Sequence, residues 1–202
     1  MSKMKIGIYG GTFNPPHIGH YESVKAFSAE IKPDKLLIIP ASIPPHKELC
    51  EDFPAEVRLK MCSEAFADIE GAEISDLEIK RKGKSYTYLT LEELCGECRE
   101  LYFLLGTDMF ITLDKWRFPE KIFKLCTVCL IRRESDGEIT ELIEEKKRLF
   151  EEDYKARIIE IKKDVIEISS SELRQRLRSG EDCSEYLSEG VLKFIKGGGY
   201  YS

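Results

Sequence analysis

Short, nearly continuous apolar runs punctuate the chain at Lys5–Tyr9, Lys35–Pro40, Glu73–Ile79, Leu101–Leu105, Thr127–Ile131 and Arg157–Ile161, with a shorter one at Val165–Ile168. Runs of this kind, bounded by polar and turn-forming residues, predict strands buried on both faces. The stretches between them carry apolar residues at helical spacing and predict helices over Gly19–Ile31, Pro54–Ala67, Thr87–Leu94, Pro119–Leu125 and Glu138–Glu152. Alternation of the two patterns predicts an α/β fold, a Rossmann-like doubly wound parallel sheet with helices on both faces. Ser169 and Glu172 have the spacing of a capping box, so a further helix is expected to start there and stop at Gly180. It opens a small C-terminal helical subdomain and divides the chain into a core over 1–168 and an appendage over 169–202.

Charge and composition alter this picture in a few places. The 138–152 stretch is so rich in charge that it reads as a solvated helix, not a binding surface. Acidic side chains number 37 against 31 basic ones, a formal net charge of −6, so no global basic field favours nucleic acid or an anionic membrane. No apolar run approaches the ~20 residues of a membrane span, and the N-terminus lacks a signal-peptide apolar region, so a cytoplasmic protein is expected. Seven cysteines, an odd number, argue against a disulfide framework. Cys95–Cys98 and Cys126–Cys129 have C-x-x-C spacing, which raises a zinc reading. The second pair falls in an expected strand, where residues three apart face opposite ways, so ordinary buried thiols are preferred and no metal held by the protein is expected.

The densest chemistry lies in Gly10-Gly11-Thr12-Phe13-Asn14-Pro15-Pro16-His17-Ile18-Gly19-His20, between the first strand and the first helix. Paired glycines let a backbone approach an anion closely, and the helix that follows presents unpaired N–H groups at its positive end. His17 and His20 add two titratable donors about one turn apart, so the junction reads as a phosphate site. It is neither the Gly-x-Gly-x-x-Gly fingerprint nor a Walker loop.

Other strand ends carry weaker signals. Ser169, Ser170 and Arg174 gather hydroxyls and a cation at a helix start, which fits either a second phosphate clamp or a plain N-cap with a surface arginine. Gly106 would let a base or ribose lie close to the backbone. Asp108 fits a ribose hydroxyl, a magnesium ion or the N-cap of a short helix. Trp116 beside Arg117 suits stacking on a flat heterocycle or packing at a boundary. The Lys84-to-Thr90 segment opens a helix whose N–H groups would receive a carboxylate, and Pro44-Pro45-His46-Lys47 places a cation on a stiff loop. Ser-His-Asp and His-Glu-x-x-His arrangements are both absent from the sequence. The inventory therefore suits displacement at phosphorus by positioning and charge neutralisation.

Taken together, these motifs resemble the nucleotidyltransferases with a His-x-Gly-His signature, and in detail the bacterial nicotinate mononucleotide adenylyltransferases. The resemblance runs through Pro44–Lys47, Ser85-Tyr86-Thr87, Gly106–Met109, Lys115-Trp116, Ile168–Ser170 with Arg174, and the tail from Val191 to Tyr201. It implies transfer of the adenylyl group of ATP to nicotinate mononucleotide, with Mg²⁺, giving deamido-NAD and pyrophosphate. By resemblance the ATP side comprises Gly10, Gly11, Thr12, Phe13, His17, His20, Gly106, Asp108, Ile168, Ser169, Ser170 and Arg174, with His17, His20 and Arg174 catalytic. The mononucleotide side comprises Asn14, Lys47, Ser85, Tyr86, Thr87, Trp116, Arg117 and Arg133, with Arg132 as the other candidate for holding the phosphate. The C-terminal subdomain would complete the ATP site, and a homo-oligomer is compatible with the resemblance. The chain departs from the family where Arg132-Arg133-Glu134-Ser135 replaces Arg-Pro-Gly, and where Ser188-Glu189-Gly190 lacks a common proline. Its rivals are another transferase on the same scaffold, such as a pantetheine-phosphate adenylyltransferase or a cytidylyltransferase, and a non-catalytic nucleotide sensor.

Overall fold

A computed structural model describes residues 3–45, 53–132, 139–163 and 168–201. The strands are β1 (Met4–Gly11), β2 (Lys35–Pro40), β3 (Ala72–Ile74), β4 (Arg99–Gly106), β5 (Cys126–Arg132) and β6 (Arg157–Lys162). All neighbouring pairs are parallel and the order is β3-β2-β1-β4-β5-β6. The helices are α1 (Ile18–Ile31), α2 (Ala55–Ala65), α3 (Leu77–Arg81), α4 (Thr87–Leu94), α5 (Thr107–Phe110), α6 (Pro119–Leu125), α7 (Thr140–Tyr154), α8 (Ser170–Arg178) and α9 (Glu189–Gly198). The order in which successive strands are added reverses between β1 and β4, where open parallel sheets leave a crevice for ligands.

Alternation along the strands sends side chains into two apolar layers. Leu36 and Ile38 of β2, Leu104 of β4 and Cys129 and Ile131 of β5 join Val24 and Phe27 of α1 and Met61 of α2 on one face. Leu37, Ile39, Phe103, Leu105, Val128 and Leu130 join Leu91, Ile122 and Phe150 on the other. Cys126 and Cys129 fall in opposite layers, as strand geometry requires. Leu173 of α8, Leu187, Val191 and Ile195 of α9, and Tyr201 belong to the first layer, so the C-terminal helices share the core of the sheet. Among the described residues no helix is long and apolar enough to cross a membrane.

The expected strand over Glu73–Ile79 is corrected. Pairing stops after Ile74, where Ser75 N–H donates to Ile38 O at 2.9 Å, and Leu77–Arg81 turns into helix α3. Its pattern of Leu77 and Ile79 mimics strand alternation, but a buried polar cluster decides the outcome. The Thr90 hydroxyl donates to Glu78 Oε1 at 2.5 Å, while Arg81 donates to Thr90 Oγ1 at 2.9 Å and to Glu93 at 2.8 Å, pinning α3 to α4. A buried carboxylate must find such partners, and helical geometry brings Glu78 and Arg81 to the same side. The expected strand at Val165–Ile168 and the start at Glu138 fall largely outside the described residues. The expected stop at Gly180 matches the end of α8, and Ser169 caps it by accepting from Glu172 N–H at 3.0 Å. The carboxylate of Glu172 pairs with Arg176 at 2.6 Å.

One contact shows how closely α1 lies on the sheet. A Cβ at Gly7 would stand 2.7 Å from Phe27 Cε1 and 3.1 Å from Leu36 Cδ1, both in the fully buried layer. Gly7→Ala is expected to lower unfolding free energy by about 1–3 kcal/mol through overpacking. Urea denaturation measures this, and an unchanged midpoint with an unchanged slope would show that the ring has room to retreat.

Candidate active site

β1 ends in the turn that carries the expected phosphate motif. A Cβ at Gly11 would meet the Phe13 ring at 2.8 Å, so the ring can fold back only over a glycine. Phe13 itself has φ of 51°, a left-handed conformation that a buried aromatic accepts only when its surroundings hold it. They do so edge-on: Tyr9, His20 and Phe66 lie 5.5, 5.2 and 5.9 Å away between ring centroids. The Asn14–Pro15 peptide is cis. His17 then caps α1 in extended conformation, and its N–H donates to His20 Nδ1 at 3.2 Å. The two imidazoles lie 3.7 Å apart at the positive end of a long helix. Burial pushes the His17 pKa down to about 4, and its Nδ1 has no hydrogen-bond partner among the described residues. A neutral imidazole with an unpaired Nδ1 thus stands at the helix start.

The backbone of this turn is held by side chains from far along the chain. Arg174 of α8 donates to Asn14 O at 2.8 Å, and the Ser170 hydroxyl donates to Pro15 O at 3.0 Å. The Tyr201 hydroxyl donates to Asn14 Oδ1, and Ile18 N–H donates to Tyr186 O at 2.8 Å. Arg174 is therefore no isolated surface arginine. Ser169 serves as the α8 cap, and Ile168 packs against the apolar layer beside it. The Asn14 side chain, expected on the mononucleotide side, is buried and turned to Tyr201.

Arg58 was not among the expected residues. It lies on α2 at 1% exposure and donates to Thr12 O at 2.8 Å, to Ala41 O at 2.6 Å and to Ser42 O at 3.1 Å. Its signal is present in the sequence: Arg58, Met61, Cys62 and Ala65 share one helical face, and that face is buried. A lone arginine on a core stripe is a polar group that needs buried acceptors.

At the end of β4, open space lies over Gly106, in keeping with close approach of a flat group. Gly106, not Asp108, occupies the N-cap of α5, so the N-cap alternative for Asp108 is corrected; Asp108 sits exposed within the first turn. Four of the residues expected on the mononucleotide side converge. Tyr86, Thr87, Trp116 and Arg117 line one recess with Pro45 and Ile122. Tyr86 caps α4; its carbonyl accepts from Leu89 N–H at 3.0 Å, while the N–H groups of Thr87 and Tyr88 precede any intrahelical acceptor. The Arg117 guanidinium lies 4.9 Å over the Tyr86 ring, and Trp116 packs edge-on against Phe103 at 6.5 Å, so packing and recess-lining coexist in that side chain. Ser85 is buried just behind, with its hydroxyl accepting from Ser42 N–H at 2.8 Å, and it does not line the recess. Arg132 turns to Thr140 at 2.7 Å and to Glu144 at 3.1 Å. Lys47 and Arg133 lie outside the described residues, as does His46.

Comparison with known proteins fits this geometry. The cytidylyltransferase-like family model matches residues 8–176. A protein of Fusobacterium nucleatum described as a probable nicotinate-nucleotide adenylyltransferase is 37% identical over 199 residues, covering 96% of this chain and 97% of that protein. One of Clostridium botulinum with the same description is 36% identical over 194 residues, covering 93% and 94%. Among solved structures, Plasmodium falciparum nicotinic acid mononucleotide adenylyltransferase complexed with APC superposes with a TM-score of 0.77 at 21% identity, covering 98% of this chain and 97% of that one. Its complex with NaAD gives the same TM-score at 20% identity.

The state of His17 has a pH signature. Its native pKa, near 4, lies below the ordinary 6.5, so the unfolded chain binds more protons between these values. Stability from this group is complete above about pH 6.5 and is lost as the pH falls toward 4, up to about 3 kcal/mol in all. His17→Gln is expected to flatten that limb of the stability profile, and proton NMR should find the His17 midpoint near 4 in the free protein. A midpoint at the ordinary histidine value would contradict the assignment.

Proposed function

The chain belongs to the cytidylyltransferase-like family and, within it, to the nicotinate-nucleotide adenylyltransferases, and on that premise we propose that it joins ATP to nicotinate mononucleotide, releasing pyrophosphate and forming deamido-NAD. The observation that carries the substrate choice is the recess of Tyr86, Thr87, Trp116 and Arg117, which puts an aromatic face beside the opening turn of α4. A pyridine ring would stack on Trp116, and its carboxylate would accept from N–H groups of that turn. An amide in the same place presents an NH₂ donor to those donors, which disfavours nicotinamide.

ATP belongs at the β1–α1 turn. Gly10, Gly11 and Thr12 would let its phosphates approach the backbone, and His17 and His20 would meet them at the α1 N-terminus. Gly106 and Asp108 would receive the adenosine. In the reaction, an oxygen of the mononucleotide phosphate attacks the α-phosphorus of ATP; a new P–O bond forms as the bond to pyrophosphate breaks, and pyrophosphate leaves. Charge collects on the departing oxygens, and imidazole and helix-end N–H groups placed there lower the barrier without a covalent intermediate. Bringing a polyphosphate against His17 raises that group's affinity for a proton, so it becomes a stronger donor when ATP is bound. Arg174, which holds Asn14 O, keeps the turn shaped for this role and adds positive charge beside it. Arg132 is engaged with Thr140 and Glu144, which favours Arg133 for the mononucleotide phosphate.

Mg²⁺ would arrive on the triphosphate, a habit suited to an ion that keeps few protein ligands. Exposed Asp108 stands at the end of β4, and a carboxylate suits this ion's preference for oxygen ligands. When bound, the ion supplies neutralisation of phosphate charge.

The deciding experiment mixes the purified chain with ATP, Mg²⁺ and either mononucleotide and follows pyrophosphate. Release with the nicotinate form, slower release with the nicotinamide form and suppression by EDTA are expected; no release with either would sink the proposal. Single variants divide the site. His20→Ala is expected to lower kcat by about 10²-fold with little change in Tm. Trp116→Ala should raise KM for the mononucleotide by about tenfold, roughly 1.4 kcal/mol, and KM for ATP far less. Equal effects on both substrates would contradict the stacking assignment.

A further inference from the structure

Arg58 touches more than one half of the site. Its guanidinium donates to Thr12 O in the β1–α1 turn and to Ala41 O and Ser42 O in the loop after β2. Two further links continue that second arm. Ser42 N–H donates to Ser85 Oγ at 2.8 Å, and Ser85 N–H donates to Ile43 O at 2.8 Å. Ser85 leads directly into Tyr86 and Thr87, which line the recess. One buried cation thus joins the phosphate turn to the recess through a short chain of hydrogen bonds.

The partner set is unusual for an arginine. Among the described residues no carboxylate lies within ion-pair distance of Arg58, and its nearest acceptors are backbone carbonyls on two separate segments. A buried guanidinium that only balanced charge would sit against a carboxylate. One bonded to three carbonyls acts through geometry, because its planar fork fixes the directions of its donors. The other neighbours that bear on it are the Cys62 thiol, the Tyr201 hydroxyl and, least of the three, the Glu56 carboxylate, which is not hydrogen-bonded to it.

We propose that Arg58 is a positioning residue that sets the spacing between the ATP turn and the mononucleotide recess, so that the two substrates meet at reacting distance. The proposal rests on the two-substrate reading above. In-line transfer is sensitive to such spacing, whereas each substrate alone can bind to a half-site that has shifted slightly.

The test uses the full chain and compares wild type with Arg58→Lys, which keeps the charge but loses the planar fork. Pyrophosphate release by the wild type comes first: its absence would overturn the two-substrate reading and leaves the variant comparison without a reaction to read. With the wild type active, Arg58→Lys is expected to lower kcat by about tenfold to a hundredfold. Calorimetry should show binding of nicotinate mononucleotide alone and of α,β-methylene ATP alone changed by less than about threefold. A folded Arg58→Lys with kcat within threefold of wild type overturns the proposal, as does a fall in kcat matched by equal losses in both separate affinities. Where Arg58→Lys melts below the assay temperature, Ser85→Ala decides, since it cuts the outer link and leaves the guanidinium in place. It is expected to lower kcat by about threefold or more while the affinity for the mononucleotide alone stays within about threefold. An unchanged kcat with only a lowered Tm overturns the proposal.

Discussion

The turn after β1 cannot satisfy its own backbone. It leaves the sheet before the first helix has begun, and its carbonyls at Thr12, Asn14 and Pro15 point where neither a ladder nor a helix reaches them. Buried carbonyls must be paired, so the donors come from elsewhere: Arg58 from α2, Arg174 and Ser170 from α8. Nearly everything else about the site follows from that need. The same bonds fix the turn in which Phe13 keeps its left-handed conformation and from which α1 starts, with its paired imidazoles at the positive end.

This arrangement reconciles an acidic protein with a polyanionic substrate. The net charge of −6 offers no attraction at a distance. Positive potential is concentrated instead at short range, in helix-end N–H groups and in arginines oriented by the fold. Such preorganised dipoles are worth more in a half-buried crevice than the same charges would be in water. The neutral state of His17 belongs to this logic, because burial disfavours its charged form.

Local pattern made most of the fold legible before any coordinates. The run Lys35–Pro40 appears unaltered as β2, and the helical stripe at Thr87–Leu94 appears unaltered as α4. Periodicity failed where a tertiary cluster outweighed it: Leu77 and Ile79 alternate like a strand, yet Glu78, Thr90 and Arg81 draw the segment into a helix. For the candidate site, residue type and position marked out the β1–α1 turn and the residues that line the recess, since glycines, histidines and a lone tryptophan are costly choices at strand ends. Partners could not be announced that way. Nothing local to Arg174 or Ser170 tells that they grip Asn14 and Pro15, and nothing local to Ser85 tells that it answers to Ser42. Arg58 is the intermediate case, visible as a cation on an apolar helical stripe but mute about its acceptors.

The Tyr201–Asn14 hydrogen bond spans 187 positions of sequence. Chains emerge from the ribosome N-terminus first, and contacts this distant are slow to form because a long loop must close before they repay its entropy. The β1–α1 turn is therefore synthesised well before the residues that give it its final shape. Until α8, α9 and Tyr201 have docked, a nascent chain can carry a formed sheet while its nucleotide crevice stays unfinished. The working shape of the turn thus reports that residues far downstream of it have been made and packed.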